Sequence, residues 1–225
     1  MTLRARIVAE ATGTALLVAT VVGSGIMAER LSGGNGAVAL LANSLATGAG
    51  LVAFILAFGP ISGAHFNPAV TLTVAGSPAF PWSDVPGYLV AQVTGGVVGV
   101  IAANLMFELP PIAASGHLRT GLGQWLSEVI ATLGLLGVIR LGSRGRPELV
   151  AVMVGCYITA AYWFTASTSF ANPAVTIARA LTDTFAGIRP GDVPGFVGAQ
   201  LVAVLIARAV DRAARGEPSR STRAN

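Results

Sequence analysis

The chain contains no lysine, one cysteine (Cys156) and only 11% charged residues among its 225. Each shortage excludes something. A lone cysteine cannot close an internal disulfide. A charged fraction under half the roughly 25% of a soluble domain leaves too little polar surface for a water-facing globule. With lysine missing, the net charge of +4 rests on arginine. In so apolar a chain that excess reads as a positive-inside bias and not as a nucleic-acid surface. No nucleophile–base pair or metal-ligating cluster is in view, so neither an enzyme nor a cofactor is expected. What is present is 53% hydrophobic residues, 28 glycines and a mean hydropathy of +0.71. That is enough apolar chain for about six membrane spans of roughly 20 residues.

Residues 1–27 begin with Arg4 and Arg6 and continue as a long apolar run. The run has a span's length and lacks an A-x-A-like cleavage site, so an uncleaved first helix is favoured over a signal peptide. Spans are predicted at about 5–27, 37–58, 85–107, 121–141, 148–165 and 192–210. Gly33-Gly-Asn-Gly turns the chain after the first span, and Gly59-Pro60 stops the second. Asp84 is a cap for the third, and a polar loop from Leu109 to Thr120 divides the chain near its middle. Residues 1–210 form one domain, with repeat 1 at about 5–107 and repeat 2 at about 121–210. Residues 211–225 form a polar, Arg-rich tail, expected to be disordered. Arg4, Arg6, Arg140, Arg144, Arg146, Arg208, Arg212, Arg215, Arg220 and Arg223 fall on one side of this layout, against Arg30, Arg119 and Arg189 on the other. The bias places both termini in the cytoplasm.

The string Asn-Pro-Ala-Val-Thr occurs twice, at Asn67–Thr71 and Asn172–Thr176. Asparagine followed by proline is a good helix start. Each copy leaves room for only about ten helical residues (68–76 and 173–182), roughly 15 Å, which is half the hydrocarbon thickness. One half-helix in each half of a membrane chain is the pattern of a permeation site at the bilayer midplane. The halves repeat elsewhere too. Glu10-x-x-x-Thr14 matches Glu128-x-x-x-Thr132, and Tyr88-Leu-Val-Ala-Gln92 matches Phe196-Val-Gly-Ala-Gln200. With three spans per half, the second copy enters from the opposite side, an inverted repeat. The fold class is an all-α membrane protein of six transmembrane helices plus two half-helices.

On Ser62-Gly-Ala-His-Phe-Asn-Pro-Ala-Val-Thr71, Asn172-Pro-Ala, Glu10 and Glu128, the chain resembles the major intrinsic protein family, the aquaporins and glycerol facilitators. The resemblance covers residues 5–210. It implies two half-helices meeting end to end at the membrane centre, and a homotetramer in which each protomer carries its own pore. Asn67, Pro68 and Ala69 with Asn172, Pro173 and Ala174 form the paired motifs. The asparagine amides offer N–H donors to a passing oxygen, and the positive half-helix ends oppose cations and protons. Glu10 and Glu128 read either as a proton relay or as acceptors for irregular backbone. The resemblance favours the structural role. His65 is either a pH sensor or, as the resemblance implies, a residue lining the inner vestibule. Gly95, Gly96 and Gly99 permit close helix packing.

Family members usually place arginine directly after the second Asn-Pro-Ala, and this chain has Val175. Counting from the motif asparagines, the other outer-constriction positions fall on Thr47, Ala160 and Ser169. This filter has no ring and no charge, so it is expected to be wide and to lack a fixed hydroxyl donor. Arg179, one turn further along the half-helix face, either supplies part of the missing charge or snorkels to the interface. Cys156, one turn before Ala160, is a candidate lumen residue. The Val replacement resembles a bacterial branch associated with arsenic resistance. It implies an inner-membrane channel for arsenite, methylated arsenicals and polyols. Glycerol or water conduction is the alternative, a coupled secondary transporter a distant one, and a closed structural membrane protein more distant still.

Overall fold

Residues 1–214 are described by a computed structural model. Its helices are α1 (Leu3–Leu31), α2 (Gly36–Ser62), α3 (Pro68–Val74), α4 (Val85–Met106), α5 (Leu122–Gly145), α6 (Val150–Phe164), α7 (Pro173–Arg179) and α8 (Val193–Ala214). Short 3-10 turns lead into α4, α6 and α8. Six of these elements are long and apolar enough to cross a membrane. The chain is a multi-pass membrane protein with six spans and two short re-entrant helices.

The helix ends follow local chemistry. Thr2 and Asn35 cap α1 and α2 with their side chains, Asn35 accepting from Ala37 and Val38. Gly33 and Gly34 both take positive φ in the intervening turn, where a side chain would be strained. Pro60 does not stop α2 as expected. The helix runs on through Ser62 and ends at Gly63, whose φ of 87° is left-handed. A proline in the last turn forfeits one backbone bond, and Gly63 supplies the true stop. Asp84 precedes α4 but makes no side-chain capping bond. Its carboxylate is taken by Arg6 at 2.8 Å.

The half-helices are shorter than the pattern predicts, at seven residues each. Each is about 10 Å long, a third of the hydrocarbon thickness. Ala75 leaves α3 in an extended conformation, and α7 ends at Arg179 with Ala180 as its cap, ahead of the expected boundary at 182. At the other end of the chain α8 exceeds expectation. Residues 211–214, assigned to the tail, continue the helix, and the remainder of that tail lies outside the described residues.

Packing repeats across the two halves. Helix α1 packs on α4 and α2, as α5 packs on α8 and α6. The half-helices are exchanged, α7 against α4 and α3 against α8, while α2 and α6 close the middle. Small residues bring these helices together, as expected where lipid offers no hydrophobic drive for association. A Cβ on Gly95 would sit 2.3 Å from the Ala11 carbonyl oxygen, and one on Gly99 2.4 Å from that of Ala15. Gly48 and Gly155 approach each other in the same way between α2 and α6. Gly99→Val is therefore expected to destabilise the protein by about 1–3 kcal/mol through overpacking. Thermal unfolding in detergent, followed by circular dichroism, measures the drop.

Candidate pore and its two mouths

Two segments enter the protein interior without regular structure, residues 63–67 before α3 and 165–172 before α7. Each places non-glycine residues in the left-handed region, Ala64 and Phe66 in the first, Thr168, Ser169 and Ala171 in the second. Such backbone costs about 1–3 kcal/mol per residue unless its surroundings hold it. Here a buried carboxylate holds each segment. Glu10 Oε1 accepts from the Ser62 hydroxyl at 2.7 Å and the His65 amide at 2.9 Å. Its Oε2 accepts from the Phe66 amide and from Gln92 Nε2, both at 2.7 Å. Glu128 repeats the pattern with Ser167 (2.6 Å), Phe170 N (2.9 Å), Ala171 N (2.9 Å) and Gln200 Nε2 (2.6 Å). Gln92 and Gln200 also donate to Thr71 and Thr176 on the half-helices, each at 2.9 Å. Both carboxylates are fully buried and saturated with donors.

The half-helices meet through their asparagines. Asn67 Oδ1 accepts from Ala69 N at 2.8 Å, and Asn172 Oδ1 accepts from Ala174 N at 3.0 Å, so both cap their own helix. Each Nδ2 crosses to the other segment. Asn67 donates to the Ala171 carbonyl at 2.7 Å, and Asn172 to the Phe66 carbonyl at 2.8 Å. A primary amide carries two N–H groups, so this bond leaves one on each asparagine for a solute.

Both asparagines line a cavity of about 260 Å³. One wall is polar, built from Gly63 to Asn67 and from Ser169, Phe170 and Asn172. The opposite wall is apolar, with Leu51 and Ile55 of α2, Leu135 and Ile139 of α5, and Val154 and Ile158 of α6. His65 lines it near one mouth, its Nδ1 3.1 Å from the Thr71 hydroxyl and its ring tilted against Phe80 and Tyr88. Tyr88 in turn donates to the Ser62 carbonyl at 2.7 Å and accepts from Arg6 Nε at 2.8 Å.

At the other mouth Thr47, Ser169 and Val175 line the cavity, but Ala160 does not. Ala160 is exposed on the outer face of α6, as is Cys156. The lumen face of that helix reads Val150, Val154, Ile158 and Tyr162, each one turn from the next. Counting back from Asn172 thus overshoots Tyr162 by two residues and lands on the wrong face. This corrects the expectation of a filter without ring or charge. The Tyr162 hydroxyl lies 3.2 Å from that of Thr47, and Arg179 reaches the cavity wall. The Arg179 Nε donates to the Ala186 carbonyl, and its guanidinium carbon stands 3.5 Å from the Phe170 ring centroid. Arg119, from the loop before α5, stacks at 5.1 Å on the same ring and donates from Nε to the Gly187 carbonyl at 2.8 Å. Burial lowers the pKa of the Arg119 guanidinium from the ordinary arginine value. The Ser169 hydroxyl is buried with no protein partner among the described residues.

A lumen floored by crossed asparagines, with one polar and one apolar wall, defines a membrane channel for small solutes and not an enzyme. Comparison with known proteins agrees. Residues 1–168 match the model of the family described as Major intrinsic protein. The chain is 56% identical over 207 residues to aquaglyceroporin AqpS of Rhizobium meliloti (strain 1021), covering 92% of this chain and 88% of that one. It is 38% identical over 128 residues to the glycerol uptake facilitator protein of Bacillus subtilis (strain 168), covering 50% of this chain and 46% of that one. The fold matches the X-ray structure of the aquaglyceroporin from Plasmodium falciparum with a TM-score of 0.68. That alignment, at 19% identity, covers 92% of this chain and 93% of the other. The chain belongs to the major intrinsic protein family.

Two results are expected from this geometry. Glu128→Gln puts an amide NH2 among groups that all donate, and should destabilise the fold by about 1.5–3 kcal/mol, the worth of a hydrogen bond to a charged group. Equilibrium unfolding in detergent reports it. Because Cys156 lies outside the lumen, a mercurial should leave solute flux unblocked in proteoliposomes.

Proposed function

We propose that the pore passes neutral, hydroxyl-rich solutes of glycerol size, with arsenite (as arsenic trihydroxide), methylated arsenicals and polyols among them. One observation carries the reading. The constriction offers the hydroxyls of Thr47, Tyr162 and Ser169 around an uncharged Val175. Three hydroxyls, one of them without a protein partner, replace part of the hydration shell of a solute that itself carries several O–H groups. Asn67 and Asn172 repeat this service at the narrow centre, and the positive ends of α3 and α7 oppose cations there. Arg179 adds a positive charge at the same mouth as the hydroxyls. Its hydrogen bond to Ala186 and its stacking on Phe170 fix it in the cavity wall, where its charge repels cations.

A narrower reading, glycerol and water alone, is favoured by the ring of Tyr162 and the charge of Arg179, both absent from a wide filter. The names of the bacterial relatives, an aquaglyceroporin and a glycerol facilitator, support glycerol under either reading. Glu10 and Glu128 act as backbone anchors and His65 as a vestibule wall. The pore unit is residues 1–210. The protein sits in a bacterial inner membrane with both termini cytoplasmic, a reading supported by the arginine distribution, and assembles as a homotetramer.

Stopped-flow light scattering on proteoliposomes separates these readings. Water, glycerol and arsenite should all exceed the lipid background in the wild type. Val175→Arg should lower glycerol and arsenite flux about tenfold, a barrier change of about 1.4 kcal/mol, and lower water flux less. Equal fluxes in both proteins would remove position 175 from the filter, and arsenite at background would leave the narrower reading.

A further inference from the structure

A second cavity, of about 380 Å³, opens beside the pore at the mouth where the chain termini lie. Arg140 and Arg144 of α5 and Arg208 and Arg212 of α8 line it, with Asp211 the carboxylate among them. Within each helix the two arginines are one turn apart and share a face. Helices α5 and α8 are packed together, so the two pairs confront each other across the space between them.

Like charges at this spacing within a helix are unfavourable, and here two such pairs converge. Among the described residues, Asp211 is the one carboxylate that lines the cavity. Arg140 pairs with Asp211 at 2.6 Å, yet its Nη2 is buried with no hydrogen-bond partner among the described residues. Arg208 bonds the carbonyls at the end of α3, donating to Leu72 at 2.6 Å and Ala75 at 3.0 Å, and its guanidinium carbon lies 5.3 Å from the Trp82 ring centroid. Arg144 and Arg212 are exposed at the rim. Guanidinium groups held by protein contacts below and exposed ones above make a cradle for a compact, multiply charged anion. Guanidinium forks match phosphate oxygens two by two.

We propose that this cavity is a binding site for a phosphate-type anion, presented either by a soluble phosphate compound or by the headgroup of an anionic phospholipid. The site adjoins the pore directly, sharing Val70, Val74, Ile139 and Ser143 with its wall. Through Arg208 it also touches the end of the half-helix that carries Asn67.

Trp82 is the internal reporter. Purified full-length protein in neutral detergent is titrated with inorganic phosphate, with chloride at matched ionic strength as control. The same protein is separately placed in nanodiscs of neutral lipid to which phosphatidylglycerol is added stepwise. The expected result is a saturable change in tryptophan fluorescence in at least one arm, lost in Trp82→Phe. In the double variant Arg144→Gln/Arg212→Gln, the apparent dissociation constant should rise at least about tenfold. Both substitutions lie on exposed side chains, and an unchanged melting temperature confirms that the fold survives. A response to phosphate identifies a soluble source, and a response only to phosphatidylglycerol identifies the lipid. No saturable response in either arm, or equal affinity in the double variant, overturns the proposal.

Discussion

In the dry interior of a membrane protein every main-chain N–H must find an acceptor within the protein. The segments 63–67 and 165–172 break that economy, because their left-handed residues cannot bond along a helix. Glu10 and Glu128 restore it. Each carboxylate gathers the hydroxyl of a serine, two backbone amides and a glutamine amide. With that, the first span of a half, its re-entrant segment and its last span are tied at one point. The half-helix that follows has no freedom left in its aim. Four donors replace the water that each buried carboxyl group lost.

The same device used twice, in opposite directions, explains how a polar path exists in an apolar body. Each anchored segment turns one side toward its carboxylate and the other toward the lumen. The asparagines then lock the segments to each other, Nδ2 to the opposite carbonyl in both directions. Glycine contacts such as Gly95 on Ala11 and Gly48 on Gly155 let the spans approach closely enough for these bonds to form.

Within this symmetry the two mouths differ in chemistry. Val70 and Val175 follow the paired motifs at equivalent places, and both line the cavity. His65 corresponds in position to Phe170, and Val74 to Arg179. One mouth therefore holds an imidazole beside an aliphatic wall, with Arg6 and Tyr88 behind it. The other holds a guanidinium stacked on a phenyl ring, with the hydroxyls of Thr47, Tyr162 and Ser169 opposite.

Much of this was legible from residue order. Paired Asn-Pro-Ala-Val-Thr strings, intramembrane glutamates at matched positions and glycines at helical spacing each have a local physical meaning that survives folding. Counting from a motif failed at Ala160, because an irregular connector separates α6 from α7 and its path fixes which face of α6 meets the lumen. Tyr162 was missed for that reason, although the spacing of Val150, Val154, Ile158 and Tyr162 carried the signal. The chain alone determined the spans, the inverted repeat and the half-helix starts, since those depend on apolar length and capping chemistry between neighbours. Only the tertiary structure decided that Arg179 and Tyr162 share the mouth with Val175, and that four arginines from two distant spans surround one cavity. Those proximities arise from packing between segments far apart in sequence: spacing shows which residues share a face of one helix, but not what that face meets.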